Sequence, residues 1–159
     1  MSTFRRISTY GLAYLLWVIS FILGGLVLFQ LREAILTAIS VSTFQGSGSD
    51  RELFYASMLM RTVDQWSYLA LGIVLIVLIV FFEHHYRTAV ESERLRLRFF
   101  RATAIEFGLL FVANFVVAAL NWVVSSFSFS SLFYPILELL TTAIFVWLWW
   151  DIARKPKTA

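Results

Sequence analysis

The sequence predicts an all-α integral membrane protein: an antiparallel four-transmembrane-helix bundle with both termini cytoplasmic and an outer helical hairpin between helices 1 and 2. Three observations predict it. Hydrophobic residues make up 60% of the chain and charged residues only 14%, whereas a soluble domain carries roughly a quarter charged residues. Long apolar runs recur at membrane-spanning length. Arginine and lysine collect beside these runs on one side. At 159 residues the whole chain is expected to be a single domain.

The first span is expected over about Tyr10 to Phe29, an uncharged stretch of the roughly 20 residues an α-helix needs to cross the hydrocarbon. It follows Arg5 and Arg6, an opening shared with cleaved signal peptides. The run exceeds the roughly 7–15 residues of a signal core, so a retained helix is the expectation. The second span runs from about Trp66 to Phe82 and contains the aliphatic run Ile73 to Val80. A lone strand in lipid would leave backbone groups unpaired at several kcal/mol each, so this run is assigned to a helix. The third span covers about Phe99 to Val124 and the fourth about Ser131 to Trp150. Only Ser125 to Ser130 separates them, which predicts a tight antiparallel hairpin centred near Ser128.

Orientation follows from the basic residues near the span ends. Arg5, Arg6, Arg87, Arg94, Arg96, Arg98, Arg101, Arg154, Lys155 and Lys157 fall on one side, and Arg32, Arg51 and Arg61 on the other. The first side is expected to be cytoplasmic, in a bacterial inner membrane. Trp66, Tyr68, Trp122 and Tyr134 mark the outer boundary; Tyr10, Trp149 and Trp150 mark the inner one.

Between the first two spans, Leu31, Ala34, Ile35, Ala38, Ile39 and Ser42 lie at helical spacing, so the first helix is expected to continue past Phe29. Gly46-Ser47-Gly48 breaks the chain. Ser49 followed by Glu52 then has the form of a capping box that starts a second arm, whose apolar side is Leu53, Ala56, Met60 and Val63. The apolar face of this hairpin needs a cover, which makes it a candidate docking surface. On the other side, helices are expected to run through Glu83 to Arg101 and turn near Glu91 to Arg94, and Arg154 to Lys157 forms a short tail.

Glu138 is the most informative residue for function. It lies roughly 10 Å inside the fourth span at about 1.5 Å per residue, where an ionisable group faces the bundle interior or finds a partner. In a hairpin centred near Ser128 its level is that of Ala118, with Asn114 and Asn121 each one turn away on a shared face. A polar cluster of Glu138, Asn114 and Asn121 is therefore expected. It serves either a proton- or cation-responsive site or the fixing of helix register by hydrogen bonds, the latter being the commoner use. Pro135, one turn from Glu138, removes a backbone hydrogen bond and can kink the helix.

His84 and His85 are the two histidines. Adjacent helical residues point about 100° apart, so they cannot grip one metal from the same face; they read by default as interfacial polar residues, with a single axial ligand to a pigment, or a metal shared between subunits, as the rarer alternative. Arg94, Arg98 and Arg101 share a helical face that can meet anionic lipid or an acidic partner, although positive-inside anchoring with snorkelling side chains is the commoner explanation. Glu91, Glu93 and Glu106 are placed to pair with these arginines in part. Ser20 and Gly24 form a small-xxx-small pair where a neighbouring helix can pack closely.

Other chemistry is excluded by composition. With no cysteine, the chain has no disulfide, thiolate metal site or cysteine nucleophile. It carries neither a phosphate-binding G-x-x-x-x-G-K-[ST] loop nor an H-E-x-x-H pair, so no catalytic residue or metal site is assigned and an enzyme is not expected. The expected function is a non-enzymatic subunit or assembly partner of a larger membrane complex. A small homo-oligomeric channel or transporter using Glu138 is the second reading, and a pigment- or quinone-binding protein the third. No cofactor is required by the sequence. Expected partners are membrane lipids and other membrane subunits or further copies of the chain, and nucleic acid is not among them.

Overall fold

The computed structural model describes residues 3–44, 49–91, 94–124 and 129–154. Among them there are helices and short turns and no strand. Helix α1 spans Thr3–Phe44, α2 Asp50–Glu91 and α3 Leu95–Val124; a 3₁₀ turn at Phe129–Leu132 leads into α4, Phe133–Arg154. Four helices are long and apolar enough to cross a membrane, which suggests a membrane protein. The chain break at Gly46-Ser47-Gly48, the turn residues Ser92 and Glu93, the centre of the last connection at Ser125 to Ser128, and the tail from Lys155 lie outside the described residues.

Helices α1 and α2 have 42 residues each, about 63 Å at 1.5 Å per residue, roughly twice the thickness of bilayer hydrocarbon. Each expected span is thus the middle of a longer continuous helix. The second begins as its sequence dictates. The Ser49 amide donates to Glu52 Oε2 at 3.2 Å and the Glu52 amide donates to Ser49 Oγ at 3.4 Å, so two amides that no helical carbonyl can serve are satisfied reciprocally. Asp50 and Glu52 also place negative charge in the first turn, where the helix dipole favours it.

α1 packs against both α2 and α3, α3 also packs against α4, and α4 touches neither α1 nor α2 among the described residues. The order in space is therefore α2, α1, α3, α4, an open row in which the end helices have least cover. Ala13, Ser20, Val27 and Ala34, at intervals of seven, form the buried seam of α1, the spacing expected of a helix that keeps one side toward its neighbours. Their small size matters, because helices in lipid associate through close packing rather than through expulsion of water. Gly24 shows the same requirement. A Cβ there would lie 3.2 Å from Phe82 Cε2 and 3.4 Å from Leu78 Cδ1. One turn away Ser20 Oγ and Tyr86 Oη are 2.6 Å apart, both side chains fully buried. Around them Ala13, Phe82, Tyr86, Ala89 and Leu95 form the core that joins α1, α2 and the start of α3. Arg98 Nη1 closes this end by donating to the His85 carbonyl oxygen at 3.0 Å.

The α3–α4 pair is antiparallel, with Trp122 Nε1 donating to Ser131 Oγ at 2.9 Å near the turn and Phe107 stacked on Phe145, 5.9 Å between ring centroids, further along. This register differs by one helical turn from the one the sequence predicts. Asn114, rather than Ala118, lies opposite Glu138, because the 3₁₀ turn starts the returning arm at Phe129, ahead of the expected Ser131. Pro135 also has a milder effect than its position suggested. It falls in the first turn of α4, where an amide has no carbonyl partner to lose, so it fits the helix start without breaking an interior hydrogen bond.

Candidate functional site

Polar side chains between the helices gather in three places. The first lies between α3 and α4, where Asn114 Nδ2 donates to Glu138 Oε1 at 2.7 Å and Thr142 Oγ1 donates to the Glu138 backbone oxygen at 2.8 Å. Glu138 Oε2 is buried and has no hydrogen-bond partner among the described residues. Asn121, seven residues along α3, is exposed. The antiparallel register brings Asn114 and Glu138 together, and the same register carries Asn121 toward the turn.

The second place lies where α1, α2 and α3 meet. Here Thr103 and Glu106 on α3 are 1% and 5% exposed, as deeply enclosed as Ser20 and Tyr86. Neither Thr103 Oγ1 nor either Glu106 carboxylate oxygen has a hydrogen-bond partner among the described residues. Pairing of Glu106 with the arginines of α3 is therefore corrected: helix rotation turns its carboxylate inward, while Arg98 reaches α2 and Arg101 lies over the Trp149 ring. A signal for Glu106 was present in the sequence, since it lies about 10 Å inside the third expected span at 1.5 Å per residue, as deep as Glu138 in the fourth.

The third place joins α1 to α2 about 18 Å from Ser20, twelve residues further along α1. Arg32, a charge the sequence reading counts only toward orientation, is buried. Its guanidinium forms ion pairs with Asp64 and with Glu33, its Nε donates to Ser67 Oγ at 2.8 Å, and it lies 4.0 Å from the centroid of the Tyr68 ring. These contacts match the donor geometry of arginine, whose planar fork serves several acceptors and one aromatic face together. The hairpin itself signals this pairing, since Arg32 and Asp64 stand at similar distances from its turn.

The remaining predicted residues are dispersed. Arg94 is exposed, Arg98 and Arg101 face different helices as described, and so the three do not present one basic face. His84 is exposed. His85 stacks on Phe81 at 5.8 Å, with its Nε2 buried and without a hydrogen-bond partner among the described residues. Among the described residues no three His, Cys, Asp or Glu side chains group to hold a metal ion. Ser20 and Gly24 lie at the α1–α2 contact. No known protein family, characterised protein or solved structure is significantly similar to this chain.

A buried guanidinium is costly unless its charge is compensated. Asp64→Asn is therefore expected to lower stability by about 1.5–3 kcal/mol, the range for hydrogen bonds to charged groups, seen as a lower unfolding midpoint in detergent. Arg51→Gln, exposed on the same helix, should leave the midpoint in place. Equal midpoints for the two variants would show that the Arg32 network contributes nothing to folding.

Proposed function

We propose that the chain is a non-enzymatic integral-membrane subunit or assembly partner of a larger membrane complex, with both termini cytoplasmic in a bacterial inner membrane. The observation that carries this reading is the open row of helices. In the most apolar stretches of α4 and α2, its two ends, only 6% and 11% of the residues are fully buried. These faces offer long apolar surfaces to further helices as well as to lipid. Support comes also from the first turns of α2, where Phe54, Tyr55, Met58 and Leu59 are all exposed. They lie beside the charged residues Asp50, Arg51, Glu52 and Arg61, toward the helix end where the chain is longer than a bilayer requires. Aromatic and methionine side chains framed by charge are typical of a docking surface. The facing side of this hairpin is already covered, because Ala34 and Ala56 are buried. The surface left for a partner is thus the outer side of α2.

Gentle extraction from native membranes, followed by mass measurement, tests this reading. Other polypeptides are expected to travel with the chain in fixed ratio, and the double variant Phe54→Ser, Met58→Ser should release them while unfolding at the same temperature. Retention of the same partners by the folded variant would sink the docking proposal.

A second reading, a homo-oligomeric cation- or proton-conducting channel or transporter, is favoured by the unpartnered carboxylate oxygens of Glu106 and Glu138. A carboxylate enclosed at that depth balances its charge with a proton or a bound cation. In this reading Glu106→Gln and Glu138→Gln each abolish ion flux into proteoliposomes without loss of the folded protein; undiminished flux in both would rule it out.

A further inference from the structure

At the end of the fold nearest the basic residues, α1 and α2 together line a groove of about 480 Å³. Its lining is largely aromatic, with Tyr10, Tyr14 and Trp17 from α1 and Tyr86 from α2, and it includes the charged α2 residues Glu83 and Arg87. Glu83 and Arg87 are one helical turn apart and exposed, a spacing at which opposite charges commonly pair, yet no ion pair joins them. Each is free to meet an opposite charge on a ligand. Trp17 adds a buried indole N–H without a hydrogen-bond partner among the described residues.

The groove also has a continuation. From Tyr14, the exposed side chains of Val18, Ile22 and Leu26 follow at intervals of four along α1, forming one ridge on the helix surface that leads away from the charged residues of the groove. A small water-soluble zwitterion would use only the groove. A molecule with a polar head and long apolar chains would use both the groove and the ridge.

We propose that this groove binds the headgroup of a zwitterionic phospholipid, its ammonium held by Glu83 and the aromatic rings and its phosphate held by Arg87, with an acyl chain along Val18, Ile22 and Leu26. The charges select the headgroup. Aromatic faces attract an ammonium through their quadrupole, and the carboxylate supplies its counter-charge. Arginine matches phosphate geometrically, while Glu83 repels a headgroup that carries net negative charge. The proposal requires only that these helices lie in a bilayer and is independent of which partners the chain assembles with.

The test uses the full chain in nanodiscs made of equal parts phosphatidylethanolamine and phosphatidylglycerol, with the lipids that survive gentle release identified by mass. The wild-type chain is expected to retain phosphatidylethanolamine in preference to phosphatidylglycerol. Glu83→Gln and Arg87→Gln should each weaken that retention about tenfold, as loss of a charge-assisted contact implies, and Arg94→Gln, exposed and outside the groove, should not. Tyr14→Ala, at a 62% exposed position, gives a second route that spares the core and should also weaken retention. Preferential retention of phosphatidylglycerol, retention of no lipid, or equal retention by the wild type and both charge variants would each overturn the proposal.

Discussion

Helices long and apolar enough to cross a membrane must, when they stand in lipid, satisfy their polar groups among themselves, because no water is there to replace a missing partner. The helices do this for the backbone. For side chains the solution lies between helices, in contacts such as Ser20 with Tyr86, Arg32 with Asp64, and Asn114 with Glu138. Each joins antiparallel neighbours. Aliphatic surfaces slide past one another with little preference, so the pairing of a few polar groups, each worth roughly 0.6–2 kcal/mol in a membrane, determines which turn of one helix faces which turn of the next. Gly24 and the buried alanines of α1 then allow the close approach that these contacts need.

The same constraint makes its exceptions informative. Glu106 and Thr103 are enclosed as fully as the paired residues, yet their side-chain oxygens lack hydrogen-bond partners among the described residues. Here the fold does not answer its own polar groups, and the carboxylate of Glu106, with that of Glu138, carries the second functional reading. The exposed flanks of α2 and α4 are the apolar counterpart. Leu69, Ile73, Ile76, Val77 and Val80 on α2 are large and exposed, a surface that would drive aggregation in water and is ordinary against lipid or a neighbouring helix.

Much of the helical framework could be read from the residues, because its signals are local. The capping box at Ser49 and Glu52 and the uninterrupted apolar spacing past Phe29 depend only on chain neighbours, and both have their expected form in the structure. The contact of Asn114 with Glu138 depends on a hairpin register, and there the sequence points to Ala118 opposite Glu138 because the 3₁₀ turn at Phe129–Leu132 leaves no local signal. The inward turn of Glu106 and the burial of Arg32 are not legible in the residues for a different reason. Counting charges by side of the membrane assigns each a level along the chain but no rotation about its helix, and burial depends on that rotation. The separation of Arg98 from Arg101 follows likewise: residues that share a helix can still reach different neighbours.

The central claim is the order α2, α1, α3, α4, with α1 in contact on both sides and α2 remote from α4. A chain without cysteine permits a direct measurement by disulfide cross-linking in native membranes. The pair Gly25→Cys with Leu75→Cys, adjacent across α1 and α2, is expected to cross-link within one chain, whereas Ile76→Cys with Leu140→Cys, joining the two end helices, is expected not to. Efficient cross-linking of α2 to α4 within a single chain would mean that the four helices close into a compact bundle and would contradict the open row.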